Sequence, residues 1–353
     1  MSFFAGRTTA SLGAACGLAA AVLFGASTPA AKWLLESVDP QLLAGLFYFG
    51  AGAALSLYRW LAPTTNEAPL RFKDAPTLGG ILVAGGLVGP LLLLVGLART
   101  TATTGALLLN LEAPFTMAIA VLIFREHLGR RALAAAALIL LGAGVLKVRP
   151  GDIGGDALGM ICVAASCLAW GIDNNLTQRL ALKDPVALVR AKTLGAGALN
   201  IAMAFARDVS LPATTSILVA LGVGAVSYGL SIVLDAYALR WLGAAREAAL
   251  FATAPFVGVV LSLLFLRERM AAADIGALAL MAAGVVLLLR DKHSHAHRHE
   301  PLEHEHLHSH DEHHQHSHAA GTVTTEPHSH FHRHDDLQHE HPHASDLHHR
   351  HRH

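Results

Sequence analysis

Histidine is nearly missing from the first 292 residues of this chain. Of 24 histidines, His127 alone lies there, and the other 23 fall between His293 and His353. Cysteine is scarce throughout. Cys16, Cys162 and Cys167 each sit inside an apolar run. Without ligand-like spacing they exclude a zinc finger or a disulfide framework, and they read as small buried hydrophobes. Charged residues make up only 15% of the chain, which argues against an ordinary soluble domain. There is no nucleophile elbow, no phosphate-cradling glycine loop behind a strand and no His/Asp/Ser set, so no enzyme is expected. No surface of basic residues interleaved with aromatics points to nucleic acid.

What remains is apolar. Hydrophobic residues form 53% of the sequence, and mean hydropathy is +0.45. Residues 291–353 hold 5 Lys/Arg and 11 Asp/Glu of the 26 of each, which leaves the first 290 residues with 21 and 15. Two classes are therefore joined: an apolar membrane body, and a polar, histidine-rich, low-complexity tail. The tail has almost nothing to bury and is expected to be disordered without a ligand.

A helix needs about 20 apolar residues to cross the hydrocarbon core. Ten stretches meet this: 11–35, 40–61, 75–98, 101–124, 130–148, 156–178, 185–206, 214–238, 243–266 and 272–290. The backbone cannot be satisfied by water inside a bilayer, so these are expected to be helices. The first stretch imitates a secretory signal, but "LGAACGLAAAVLFG" from Leu12 has a counterpart, "LGMICVAASCLAWG", from Leu158. A cleaved leader has no reason to resemble the sixth span. Pro114 likewise matches Pro255, Arg125-Glu126 matches Arg267-Glu268, and Gly142 matches Gly284. The expected domains are a five-helix unit over 1–150, a second over 151–290, and the cytoplasmic tail over 291–353.

A unit with an odd number of crossings enters the membrane from the opposite side when it is repeated. The fold class expected is thus an all-α membrane protein of ten transmembrane helices in two inverted repeats, the plan of alternating-access carriers. With the N-terminus inside, twelve Lys/Arg fall in cytoplasmic segments and six in outer loops. That bias places both termini in the cytoplasm.

"LARTTATTGALLLNLEAPFTMAIAVLIFREHL" and "ALRWLGAAREAALFATAPFVGVVLSLLFLRERM" resemble the fourth and ninth helices of EamA-type proteins of the drug/metabolite transporter superfamily. The resemblance covers residues 10 to 290. It implies ten helices, both termini cytoplasmic, a bacterial inner-membrane location, and export or exchange of small metabolites. The tail lies outside that pattern.

An ionisable side chain at the bilayer centre costs about 2.5–3.5 kcal/mol on insertion scales, so it usually faces a cavity or a partner. Glu112, beside Asn110 and just before the helix-loosening Pro114, is the foremost transport-pathway candidate; the alternative is a structural carboxylate. Asp173 and Lys192, at similar depth on consecutive antiparallel spans, are expected to pair, either as a fixed structural pair or as a gate, with Asn174 and Asn175 adding amides. Asp235, Arg246 and Glu247 form a candidate gate. Lys32 and Arg190 read as interface anchors. "GGLVGP" (Gly85, Gly86, Gly89, Pro90) is either a helix break at a binding site or close packing of small residues.

In the tail, His293, His295, His297, His299, His304, His306, His308, His310, His313 and His314 are candidate ligands, with interleaved carboxylates, for zinc, nickel, cobalt or copper. No cofactor is required for the body to work. The function expected is a secondary-active carrier that exports a small organic solute, with protons or an exchanged solute as the driving partner. The alternative is a divalent-metal exporter, or metal-regulated transporter, fed by the tail. A non-transporting metal sensor or intramembrane enzyme is a third class, and the lack of a catalytic set argues against it. The partners implied are the solute, the bilayer, transition-metal ions and a second copy of the chain as a homodimer.

Overall fold

A computed structural model describes residues 2–62, 67–124, 129–147, 157–180, 183–242, 247 and 250–290 of the body, and 293–299, 302–308, 328–334 and 337–343 of the tail. The body is helical. Its segments are α1 (Ser11–Leu34), α2 (Pro40–Leu61), α3 (Phe72–Arg99), α4 (Ala102–Ile123), α5 (Arg130–Lys147), α6 (Ala157–Gln178), α7 (Pro185–Phe205), α8 (Thr214–Ala238), α9 (Ala254–Phe265) and α10 (Ala272–Leu289). Eight of these, all but α5 and α9, are long and apolar enough to cross a bilayer. The ninth apolar stretch was expected from residue 243; among the described residues its continuous helix begins at Ala254, where Pro255 supplies a favoured first-turn proline.

Local chemistry sets the helix starts. Asp39 accepts hydrogen bonds from the amides of Gln41 (2.8 Å) and Leu42 (3.2 Å) and precedes Pro40, opening α2. Asp184 accepts from Ala187 (3.0 Å) and precedes Pro185, opening α7. Each pairs an N-cap carboxylate with a proline whose missing amide costs nothing in the first turn.

Small residues decide the packing. Gly45 of α2 lies on Ile201 of α7, Gly52 lies on Leu194, and Gly197 lies on Phe49. Numbers rise on one helix as they fall on the other, so α2 and α7 are antiparallel. The same holds for α5 and α10, where Gly142 meets Met281 and Gly284 meets Ile139. Without a hydrophobic drive between helices in lipid, such close backbone approach supplies the dispersion contacts. Contacts repeat when the halves are exchanged: α3 packs on α6 as α8 packs on α1, and α4 packs on α6 as α9 packs on α1. Ion pairs mark both ends of the α2/α7 seam. Arg59 pairs with Asp184 at one end, and Arg207 lies 3.9 Å from Asp39 at the other.

The glycine-rich part of α3 is not broken, and its glycines pack closely, Gly86 on Ala196 and Gly89 on Trp170. It stays helical but widens to π geometry over Leu82–Val88, and α8 does the same over Gly224–Leu230, 142 residues later. Large apolar side chains such as Phe72 (96% exposed) and Leu122 (79%) point outward. Exposed in water they would drive association; around a membrane body they face lipid.

The described tail segments are four strands: β1 (His293–His299), β2 (Leu302–His308), β3 (His328–His334) and β4 (Leu337–His343). β1 pairs antiparallel with β4, and β2 with β3. Composition alone predicts a tail without regular structure. The pairing has its own sequence cause: histidine alternating with another residue is a period of two, the strand period.

Candidate functional site

The site is built on the π-stretch of α3. Pro90 has no amide hydrogen. In an α-turn it would have served the carbonyl of Gly86, and in a π-turn that of Gly85. Side chains of neighbouring helices take both oxygens. Tyr48 Oη of α2 donates to Gly85 O at 2.6 Å, and Trp170 Nε1 of α6 donates to the same oxygen at 3.2 Å. Asn200 Nδ2 of α7 donates to Gly86 O at 3.1 Å, while its own Oδ1 accepts from Gln41 Nε2 at 2.6 Å. In a medium without water, carbonyls loosened by a proline must be satisfied this way.

Asp173 of α6 is buried, and its carboxylate lies directly over Gly85, where a Cβ would collide with it. It pairs with Lys192 of α7, and Thr177 Oγ1 donates to it at 3.4 Å. The pairing of two antiparallel spans expected from sequence is therefore present. A buried ion pair is held by its geometry and further hydrogen bonds, because desolvation opposes it.

Glu112 heads the second segment of α4, just after a tight 3-10 turn over Leu109–Leu111. Asn174 Nδ2 donates to Glu112 Oε1 at 2.7 Å and lies 3.5 Å from Thr116 Oγ1. Asn175 Nδ2 donates to Thr116 O (3.1 Å) and Gly171 O (2.8 Å), tying α6 to α4. Glu112 is within electrostatic reach of Asp173, Lys192 and Asp235. Of the five pathway candidates, four thus converge: Glu112, Asn174, Asp173 and Lys192. Asn110 does not. Its amide donates to Leu107 O at 3.0 Å and lies 3.8 Å from Met281 Sδ of α10. Two residues along a helix rotate the side chain by roughly 200°, so Asn110 and Glu112 face opposite neighbours.

Of the candidate gate, Asp235 of α8 and Glu247 are within electrostatic reach of each other, and Glu247 is also within reach of Glu112. Glu247 is buried, and Asp235 Oδ1 is sealed with no hydrogen-bond partner among the described residues. Arg246 lies outside the described residues. Beside these groups an aromatic cluster joins three helices: Tyr228 stacks on Phe47 (5.4 Å between centroids) and meets Phe24 (5.7 Å) and Tyr48 (5.5 Å).

Lys32 does more than anchor an interface. Its Nζ donates to Leu97 O and Thr100 O, both at 2.7 Å, at the end of α3. Glu268, from the duplicated Arg-Glu pair, accepts from the amides of Ala102 and Thr103, both at 2.8 Å, at the start of α4. A cation on the last carbonyls of one helix and an anion on the first amides of the next complement both dipoles. Together they clasp the α3–α4 turn to α1 and to the end of α9. Lys32 also feels the charge of Glu268.

Sequence reasoning missed Tyr48, Trp170, Gln41 and Asn200. One signal for this region was present. Asp39-Pro40 and Gly50-Ala51-Gly52-Ala53 recur as Asp184-Pro185 and Gly195-Ala196-Gly197-Ala198, 145 residues on, which marks α2 and α7 as equivalent. Of the ten tail histidines named as ligand candidates, seven lie on β1 and β2, where His299 faces Leu337 in the register, and His310, His313 and His314 lie outside the described residues. Among the described residues of the body no group of three or more His, Cys, Asp or Glu gathers where a metal ion could be held.

The profile of the EamA-like transporter family matches residues 11–147 and again 157–290. The chain belongs to the EamA-like transporter family. The two matches divide this EamA-like protein where the "GDIGGD" connection falls. It is 28% identical over 270 residues to an "Uncharacterized transporter" of Methanothermobacter thermautotrophicus, an alignment that covers 71% of this chain and 78% of that protein. A solved crystal structure shares its fold with a TM-score of 0.60 at 19% identity, covering 80% of this chain and 98% of the other. It is a multi-pass membrane transporter.

Proposed function

We propose that this EamA-like protein is a secondary-active carrier that exports a small organic solute by alternating access, with both termini in the cytoplasm of a bacterial inner membrane. The observation that carries this reading is the convergence of Glu112, Asn174, Asp173 and Lys192 around the π-stretch of α3, inside helices that otherwise bury apolar residues. Placing that many polar groups within membrane-spanning helices costs free energy that packing alone does not require. The antiparallel α2/α7 and α5/α10 pairs support two inverted units that rock about this centre.

Among the described residues Glu112 lies within electrostatic reach of three further carboxyl groups, Asp173, Asp235 and Glu247, and of one ammonium, Lys192. The surplus favours a solute with a positively charged group, or a proton, as the species that balances charge in the loaded state. The Lys32–Glu268 clasp is suited to hold the face that carries the α3–α4 turn closed in one of the two states. A metal cargo finds less support, since the described body residues gather no three-ligand cluster.

The test is uptake into inside-out proteoliposomes of labelled cationic, neutral and anionic metabolite mixtures. The expected result is accumulation of a subset of solutes, lost at least tenfold in Glu112→Gln while that variant elutes as a monodisperse species. Full activity of Glu112→Gln would remove Glu112 from the pathway, and no accumulation of any solute class above empty vesicles would remove the carrier reading.

A further inference from the structure

The tail ladders hold a regularity that the body does not use. In the β1–β4 ladder, His293 stands opposite His343, His295 opposite His341 and His297 opposite His339. In the β2–β3 ladder, His304 stands opposite His332, His306 opposite His330 and His308 opposite His328. Histidine meets histidine six times, three times in each ladder, always at alternate positions. Alternate positions share a face of a strand. Each ladder therefore has one face whose register positions are three opposed histidine pairs. The other face is mixed: Ser294 with Pro342 and Ala296 with Glu340 in the first ladder, Glu303 with Arg333 and Glu305 with Phe331 in the second.

Spacing on such a face suits a metal. Opposed Cβ atoms in an antiparallel pair lie about 4.5–5.5 Å apart, and the next position on the same face lies about 6.5–7 Å along the strand. Neutral imidazole is the ligand suited to zinc, nickel, cobalt and copper, with metal–nitrogen distances of about 2.0–2.1 Å for zinc. We propose that each ladder is a binding site for a divalent ion of this class, specified by the register that sets histidine opposite histidine.

Energetics point the same way. Pairing β1 with β4 closes a loop that runs from residue 299 to residue 337, and two-stranded ladders are marginal in water. The alternate residues supply no continuous apolar face to offset that ordering. Metal binding to deprotonated ligands is itself a source of folding free energy, so bound metal and the ladder register stabilise each other. The proposal is independent of whether the body carries a solute.

Full-length protein in detergent is titrated with Ni²⁺ alone, and in parallel with Zn²⁺ alone, against a chromogenic chelator. Two variants are compared, each lacking four histidines: His295, His297, His339 and His341→Ala in the first ladder, and His348, His349, His351 and His353→Ala beyond both ladders. The expected result is about two tight equivalents in the parent chain, about one in the ladder variant, and two in the other with affinity unchanged within twofold. On metal addition, amide exchange should slow at 293–299 and 337–343. Equal loss of capacity in both variants would mean that the histidines act as an interchangeable pool, and would overturn the register. Binding no greater than that of a chain ending at residue 292 would overturn the site altogether.

Discussion

The third and eighth helices carry the same backbone feature, a π-stretch of seven residues, 142 positions apart, yet they use it differently. In α3 the stretch precedes Pro90, and its Gly85 and Gly86 carbonyls accept from Tyr48, Trp170 and Asn200 beneath a buried carboxylate. In α8 the equivalent of Pro90 is Ile232. There Gly224 is pressed against the backbone of Phe47, and Tyr228 enters an aromatic cluster. The repeat has kept the geometry and divided the chemistry. One half presents polar groups, and the other presents packing. Wide turns of this kind often occur at functional sites, and here the two differ in what fills the space.

The largest effect that would break this comparison is removal of the cation on the polar side. Lys192→Met leaves Asp173 buried without its partner, which is expected to cost about 3–5 kcal/mol. Thermal unfolding in detergent should show the loss, and Asp173→Asn added to Lys192→Met should recover most of it. Equal stability of Lys192→Met and the parent would mean that the pair is solvated in the native state.

Next is Gly224→Ala on the packing side. Its Cβ would run into the Phe47 carbonyl, so α2 and α8 must separate, at a cost of about 1–3 kcal/mol. Gly222→Ala is the internal control, since nothing lies within 4 Å of its Cβ, and its midpoint should not fall. Gly85→Ala tests the other half. The three nearest atoms to its Cβ all belong to the Asp173 side chain, so the helix should still fold while transport falls at least tenfold through displacement of Asp173 from Lys192.

Tyr48→Phe is smaller, about 0.5–1.5 kcal/mol, because Trp170 still donates to Gly85 O. Pro90→Ala should be the mildest. It restores an amide that can serve Gly85 or Gly86 at the expense of the side-chain donors, and unfolding midpoints should move by no more than a few degrees. A loss as large as that of Lys192→Met would show that the proline itself, rather than the cross-helix donors, holds the π geometry.

Glu112 and the Asp173–Lys192 pair were legible from sequence because a charge inside an apolar run is costly and must have a reason. Asn174 was legible by its place beside Asp173. Tyr48, Gln41, Trp170 and Asn200 were not. A tyrosine or an amide in a membrane helix has many uses, and theirs depends on carbonyls freed on a different helix by Pro90. Asn110 stands apart from Glu112 for a related reason. Closeness in sequence to Glu112 says little about direction on a helix, where two residues turn the side chain by more than half a circle. Lys32 was read as an anchor because position near a helix end suggests one; its carbonyl partners on α3 are 65 and 68 residues away.

The sequence by itself determined that the body lies in a membrane, that its unit occurs twice, and that the histidines alternate in a separate tail. Those properties rest on composition and period, which each residue carries wherever it goes. Tertiary structure alone decided which carbonyls the π-stretches release, which side chains reach them, and which histidine faces which, because these depend on the register and rotation of neighbouring segments. Register and rotation are set by how closely glycines let two backbones approach, a property of pairs of surfaces that neither segment has alone.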